Sequence, residues 1–177
     1  MIAEPKYVLV TPVWNDSNRL KIFGGQLAEA LCDAGMDIQW VIADDGSTTQ
    51  EKELLKQLSN TFSKIYPNVE LMHNAERSRK GGAIRAGWDA FSSADYYCFV
   101  DGDGAINADV MLGLMRNAGE GSSGTSVVGI RQKGSMGNEV KRTWLRKVLF
   151  RAFSMLMRGL LKEPWRDTQC GAKVIHG

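Results

Sequence analysis

Cysteine is scarce in this chain of 177 residues: Cys32, Cys98 and Cys170 are odd in number and far apart. They form no C-x-x-C pair and no disulfide framework. The expectation is therefore buried or half-buried thiols in a reducing compartment. Histidine is rarer still; His73 and His176 have no sequence partner and neither is assigned a role. No apolar run approaches the roughly 18 residues that a membrane span needs. Residues 1–5 carry a charge and a proline with no apolar stretch behind them, unlike a secretory leader. These absences lead to the expectation of a cytoplasmic protein, soluble or peripheral to a membrane. Charge of one sign is not in excess either. Lys and Arg number 22 against 20 Asp and Glu, a net charge of +2, so no global field announces a nucleic acid and none is expected as partner.

What is present is ordinary for a globular protein: 44% hydrophobic and 24% charged residues, in a length that suits one domain. The charges are unevenly spread. From residue 131 to residue 173 nearly all are basic, which favours an anionic partner for that part. Short apolar runs alternate with segments of helical spacing. Strands are expected at 7–13, 38–43, 69–73, 96–100 and 125–130, and helices at 18–34, 49–62, 82–91, 108–117 and 144–161. Leu54, Leu55 and Leu58 are expected to face inward, and the Gly/Ser tract 119–124 reads as a loop. Apolar strands alternating with helices imply an α/β fold: a three-layer α/β/α arrangement around a mainly parallel sheet.

In such sheets ligands bind beyond the carboxyl ends of the strands. Acidic residues collect there: Asp16 after the first strand, Asp44 and Asp45 after the second, Asp101 and Asp103 after the fourth. Three acidic sites on one edge repel each other unless something positive sits among them, which implies a cation, a donor-rich ligand or both. The stretch FVDGDGA (99–105) is the sharpest case. Residues i and i+2 of an extended segment point the same way, so Asp101 and Asp103 can share one hard cation such as Mg²⁺. Gly102 and Gly104 allow close approach of a phosphate. An EF-hand loop is excluded, because Ala105, Ile106 and Leu112 occupy its fifth, sixth and twelfth positions. A nucleophilic aspartate of phosphatase type would not call for a second acidic cluster, and a solvated Asp-Gly turn remains the other reading of these residues alone.

Five motifs in order change the balance: TPVWND (11–16), ADDGS (43–47), RKGGAIRAG (79–87), VDGDGA (100–105) and RDTQCGAK (166–173). Together they resemble the family-2 glycosyltransferases of the GT-A fold, on the polyprenyl-phosphate branch that includes dolichyl-phosphate glucosyltransferases. The resemblance covers nearly the whole chain. It implies one GT-A catalytic domain over 1–177, cut short at its C-terminal end, because family members continue with a further strand and helix. It also implies an inverting, metal-dependent enzyme with Mg²⁺ or Mn²⁺, moving sugar from a nucleoside diphosphate to polyprenyl phosphate. UDP is preferred to GDP. A saccharide acceptor, or a catalytically silent nucleotide-sugar-binding domain, are the alternatives.

The resemblance also assigns residues. Pro12, Trp14 and Asp16 would line the base and ribose, with Trp14 where the family has Tyr and Asp16 where Glu is usual. Ala43 and Asp45 match positions that contact the base, while Asp44 caps its turn in an equally good reading. Lys80 matches the lysine of the family's G-K-G, with Arg79 in place of the first glycine. Arg77, Arg79, Lys80 and Arg85 form a basic cluster at a helix start, where backbone donors favour anions. Asp101 and Gly102 would meet the nucleotide, and Asp101 and Asp103 the metal. Arg131 and Arg151 would grip the acceptor phosphate, for which a guanidinium fork is suited. Asp167 would orient or deprotonate the acceptor, and Cys170 would serve packing. The amphipathic helix 144–161, with Arg142, Arg146, Lys147, Arg151 and Arg158 on its flanks, suits either an anionic membrane surface or a core-facing role.

Overall fold

The computed structural model describes residues 6–121, 127–128 and 170–177. Six strands form one sheet: β1 (Lys6–Val13), β2 (Asp37–Asp44), β3 (Val69–His73), β4 (Tyr96–Val100), β5 (Val127–Val128) and β6 (Ala172–His176). Among the described residues four helices alternate with the strands from β1 to β5: α1 (Ser17–Asp33), α2 (Thr49–Phe62), α3 (Arg79–Asp89) and α4 (Ala108–Glu120). The sheet order is β3-β2-β1-β4-β6-β5. β1, β2, β3 and β4 are mutually parallel where they pair, and β6 runs antiparallel to β4. By contacts the chain falls into two compact units, Met1–Val127 with Gly171–Gly177, and Val128–Cys170. The description below is of the first.

The layers follow from the two-residue period of a strand. In β1, Tyr7, Leu9 and Val13 face one side and join Trp40 of β2 and Val100 of β4 in a core covered by α1, α2 and α4. Val8 and Val10 face the other side, with Val41, Ala43 and Phe99, beneath Ala83 and Ile84 of α3. Helices therefore cover both faces, which is why the central strands are apolar through most of their length. The chain winds outward from β1 through β2 to β3, then returns to lay β4 on the opposite side of β1. Parallel crossovers keep one hand, so reversing direction moves the connecting helix to the other face. α3 is that helix, and the reversal leaves a crevice between the carboxyl ends of β1 and β4. Buried Thr11 takes a hydrogen bond from the Trp40 indole N–H at 3.0 Å, which removes its polar penalty inside the core.

The sequence-based boundaries hold to within a few residues, with five corrections. β6 is missed by the sequence reading; its AKVIH starts with alternating buried and half-buried residues as a strand does, but it sits behind a motif read only for chemistry. α3 begins at Arg79 rather than Gly82. α4 continues to Glu120, so Gly119 is helical and the loop begins later than the Gly/Ser tract suggests. Leu54 is exposed while Leu55 is buried, because only one of two adjacent helical residues can face the sheet. Cys32 is exposed, near the solvent side of α1's last turn, while Cys98 and Cys170 are buried. Of the strand expected at 125–130 only Val127 and Val128 are described, and the helix expected at 144–161 lies outside the described residues.

α3 can lie close to β1 because Gly87 has no side chain: a Cβ there would fall 2.7 Å from Val10 Cγ2. Gly113 on α4 would meet nothing within 4 Å. Gly113→Ala should therefore stabilise by up to about 1 kcal/mol through helix propensity. Gly87→Ala should destabilise, because an overpacking penalty of about 1–3 kcal/mol exceeds the same gain. Equilibrium urea unfolding of the two variants checks this; shifts of the same sign would show that α3 is not closely seated on β1.

Candidate functional site

The crevice at the β1–β4 reversal is a pocket of about 430 Å³, with walls from the ends of β1, β2 and β4 and from the start of α3. Each wall is held by its own bonds. After β1, Asn15 adopts φ 48°, a left-handed conformation that asparagine tolerates. Its N–H donates to Ser47 Oγ at 2.8 Å, and its Oδ1 accepts from the Thr48 N–H at 2.9 Å. The loop that carries Trp14 and Asp16 is thereby tied to the turn after β2.

The two aspartates of that turn do different work. Asp44 is fully buried; its Oδ1 accepts from the Ser47 N–H at 3.0 Å and its Oδ2 lies 2.8 Å from His73 Nδ1. It is the turn cap foreseen from sequence. Its histidine partner was missed, although Asp44 and His73 are register neighbours across β2 and β3. Asp45 donates its N–H to the Val13 carbonyl at 2.9 Å and accepts from the Ser78 N–H at 2.7 Å and the Ser78 hydroxyl at 3.0 Å. Gly46 follows at φ 75°, and a Cβ there would lie 3.1 Å from the Arg77 backbone nitrogen. Asp45 and Gly46 thus draw in the segment before α3 and set Arg77, Arg79 and Lys80 on the pocket wall.

Opposite stands the D-x-D stretch. β6 starts where β4 ends, with Val100 beside Ala172, and so delivers Gly171 to Asp101. The Asp101 N–H donates to the Gly171 carbonyl at 2.9 Å, and a Cβ on Gly171 would fall 2.5 Å from Asp101 Oδ2. Lys80 Nζ lies 2.6 Å from Asp101 Oδ1. Asp103 Oδ1 accepts from the Ala105 N–H at 3.0 Å, and its Oδ2 is 3.7 Å from Arg19 Nη1. Arg19 is paired with Asp16, donating from Nε at 2.9 Å. That hydrogen bond to Asp16 raises the guanidinium above its already high ordinary value, so Arg19 stays charged. Arg77 places its Cζ 3.4 Å over the Trp14 ring, with Nε 4.0 Å from Asp45 Oδ2. Trp14 itself is 44% exposed, a flat ring facing the opening.

The fold therefore brings together Pro12, Trp14, Asp16, Asp45, Lys80, Asp101, Gly102 and Asp103 in one pocket wall. Ala43 stays apart, buried under α3 in the second core cluster. Arg131, Arg151 and Asp167 lie outside the described residues. Arg77 and Arg79 were noted from sequence only as a basic cluster, and both line the pocket. Arg19 and Gly171 were missed. Arg19 follows Asp16 by one helical turn, a legible ion-pair spacing; Gly171 stands in the RDTQCGAK motif, but its contact with Asp101 is set by strand pairing.

Among the described residues no three His, Cys, Asp or Glu side chains gather to hold a metal ion. Two adjacent carboxylates are nonetheless a donor set that fits Mg²⁺ or Mn²⁺, which complete their shells with water and substrate phosphate.

The glycosyl transferase family 2 profile matches residues 9–174. The chain belongs to that family. Among curated proteins it is similar to a dolichyl-phosphate beta-glucosyltransferase of Trichomonas vaginalis, 29% identical over 175 residues, covering 94% of this chain and 52% of the relative. The chain spans about half the length of the curated relatives it matches. Among solved structures, a mannosyltransferase from Pyrobaculum calidifontis in complex with GDP-Man and Mn²⁺ superimposes with a TM-score of 0.64 at 14% identity, covering 99% of this chain and 45% of that one. A glucosyl-3-phosphoglycerate synthase from Mycobacterium tuberculosis, in complex with Mn²⁺, UDP and glucosyl-3-phosphoglycerate, gives 0.58 at 15% identity, covering 97% and 57%. The expected GT-A fold is thus borne out. Among the described residues no helix is long and apolar enough to cross a membrane.

The bond pattern sorts the carboxylates. Asp45→Ala strips two hydrogen bonds from a buried junction and should cost about 1–3 kcal/mol. Asp103→Ala removes an exposed side chain and should change stability by less than about 0.5 kcal/mol. Chemical denaturation of both reads the contrast; a large loss for Asp103→Ala would mark it as part of the frame.

Proposed function

We propose that this chain is the donor-binding, catalytic domain of an inverting glycosyltransferase that moves a sugar from a nucleoside diphosphate, UDP in preference to GDP, onto a polyprenyl phosphate. The observation that carries the reading is the pocket at the β1–β4 reversal, where an exposed tryptophan, two carboxylates in D-x-D order and a row of cations converge. Family membership and the dolichyl-phosphate relatives support the acceptor class.

In this reading Trp14 offers its ring to the base. Asp101 and Asp103 hold Mg²⁺ or Mn²⁺, which when bound neutralises diphosphate charge and stabilises the leaving nucleotide. Lys80 and Arg77 add positive charge along the same wall, so the departing diphosphate is met by fixed donors rather than by water. A phosphate oxygen of the acceptor attacks the anomeric carbon. The bond from that carbon to the diphosphate oxygen breaks on the opposite side, and its electron pair leaves with the nucleotide. The acceptor phosphate is already ionised near neutral pH and needs little help from a base. Asp167 is accordingly assigned to orientation, and Arg131 and Arg151 to holding the acceptor phosphate. Residues 1–177 act as one GT-A domain on the cytoplasmic side, peripheral to the membrane that holds the acceptor.

Calorimetric titration of UDP and of GDP, with and without Mn²⁺ or Mg²⁺, tests the donor site on wild type and Asp103→Ala. Metal-dependent binding of one diphosphate, weakened at least about tenfold by Asp103→Ala, is expected. Metal-independent binding that the variant leaves untouched would sink the assignment of D-x-D to the metal. Binding without any transfer to polyprenyl phosphate would favour a nucleotide-sugar-binding domain instead.

A further inference from the structure

Four cations line the pocket, and three are already committed: Arg19 to Asp16, Arg77 to Asp45 and Lys80 to Asp101. Arg79, the first residue of α3, is the exception. Among the described residues it has no carboxylate partner, and its side chain is exposed on the pocket wall. Its backbone is also costly. Arg79 has φ 63°, the left-handed region in which a Cβ clashes with the neighbouring carbonyl, and it lacks the short polar side chain that lets Asn15 tolerate a similar angle. Glycine would sit there without strain, and glycine is what the resembling motif carries at this position.

An arginine kept where the backbone favours glycine, with its charge uncompensated inside a pocket, calls for a ligand. On the same wall the Asp103 carboxylate accepts from the Ala105 N–H and has Arg19 no nearer than 3.7 Å. A guanidinium with no carboxylate partner among the described residues and a carboxylate in one long ion pair, lining the same pocket, suit a diphosphate carrying its own divalent cation. We propose that Arg79 is a further donor-binding residue of this site: its guanidinium binds the diphosphate of the nucleotide donor and takes up charge that the paired Lys80 cannot fully meet. Guanidinium suits the task because its fork of donors matches phosphate oxygens in pairs. The proposal rests on the donor-site reading above.

The test compares wild type, Arg79→Gly and Arg79→Lys. Thermal unfolding follows the fold, calorimetry with Mn²⁺ follows the diphosphate that wild type prefers, and ligand-observed NMR follows the parent nucleoside. Arg79→Gly should melt at or above the wild-type temperature, since strain is relieved. It should bind the nucleoside as wild type does but the diphosphate at least about tenfold more weakly. Arg79→Lys should recover part of that loss. An unchanged diphosphate affinity in Arg79→Gly overturns the proposal. So does a parallel loss of nucleoside and diphosphate, which marks a distorted pocket. A wild-type protein that binds neither UDP nor GDP overturns the donor-site reading itself, and this proposal with it.

Discussion

Parallel strands end side by side, and here they end on aspartates. That is the constraint on which the rest of the site depends. Asp16, Asp45, Asp101 and Asp103 share the wall of one pocket, and unshielded carboxylates so close would oppose folding. The chain answers with its own cations. Arg19, Arg77 and Lys80 each reach a different carboxylate. The pocket is therefore a lattice of opposite charges at a solvent boundary, where each pair alone contributes little to stability. Its value lies in the field it presents: donors and acceptors already oriented before any ligand arrives.

The lattice can exist only because the frame behind it is satisfied separately. Asp44 and Asp45 are adjacent, yet Asp44 turns inward to Ser47 and His73 while Asp45 secures Ser78. Buried carboxylates with full sets of partners are inexpensive, and incomplete sets are not. The same logic applies to Gly171, whose missing side chain leaves room for Asp101. A glycine just before β6 thus shapes a site whose other residues come from α1, α3 and the ends of β1, β2 and β4.

Arg77 and Trp14 show how the frame and the opening meet. The guanidinium carbon lies 3.4 Å over the indole centre while its Nε stays near Asp45. Trp14 is held by that contact without being buried, so an exposed aromatic face is maintained at the pocket mouth. Stacking of this kind at an exposed site contributes roughly 0.5–1 kcal/mol and orders both side chains.

Much of this was legible in the sequence by itself. Apolar strands alternating with helices determined the α/β class, since a strand apolar at every position needs cover on both faces. The D-x-D pair, the Asp-Asp-Gly turn and the basic helix start could be placed at strand ends because those signals are local. Tertiary structure alone decided the rest. Which cation pairs with which aspartate depends on the reversal of strand order at β1, and Arg19 shows no sign of its approach to Asp103 in the local sequence. The antiparallel return of β6, which sets Gly171 against Asp101, depends on pairing across about 70 residues. The left-handed backbone of Arg79 depends on Asp45 holding Ser78 in place. Local propensity and periodicity are written in neighbouring residues; charge compensation and close approach are properties of surfaces that only folding brings together.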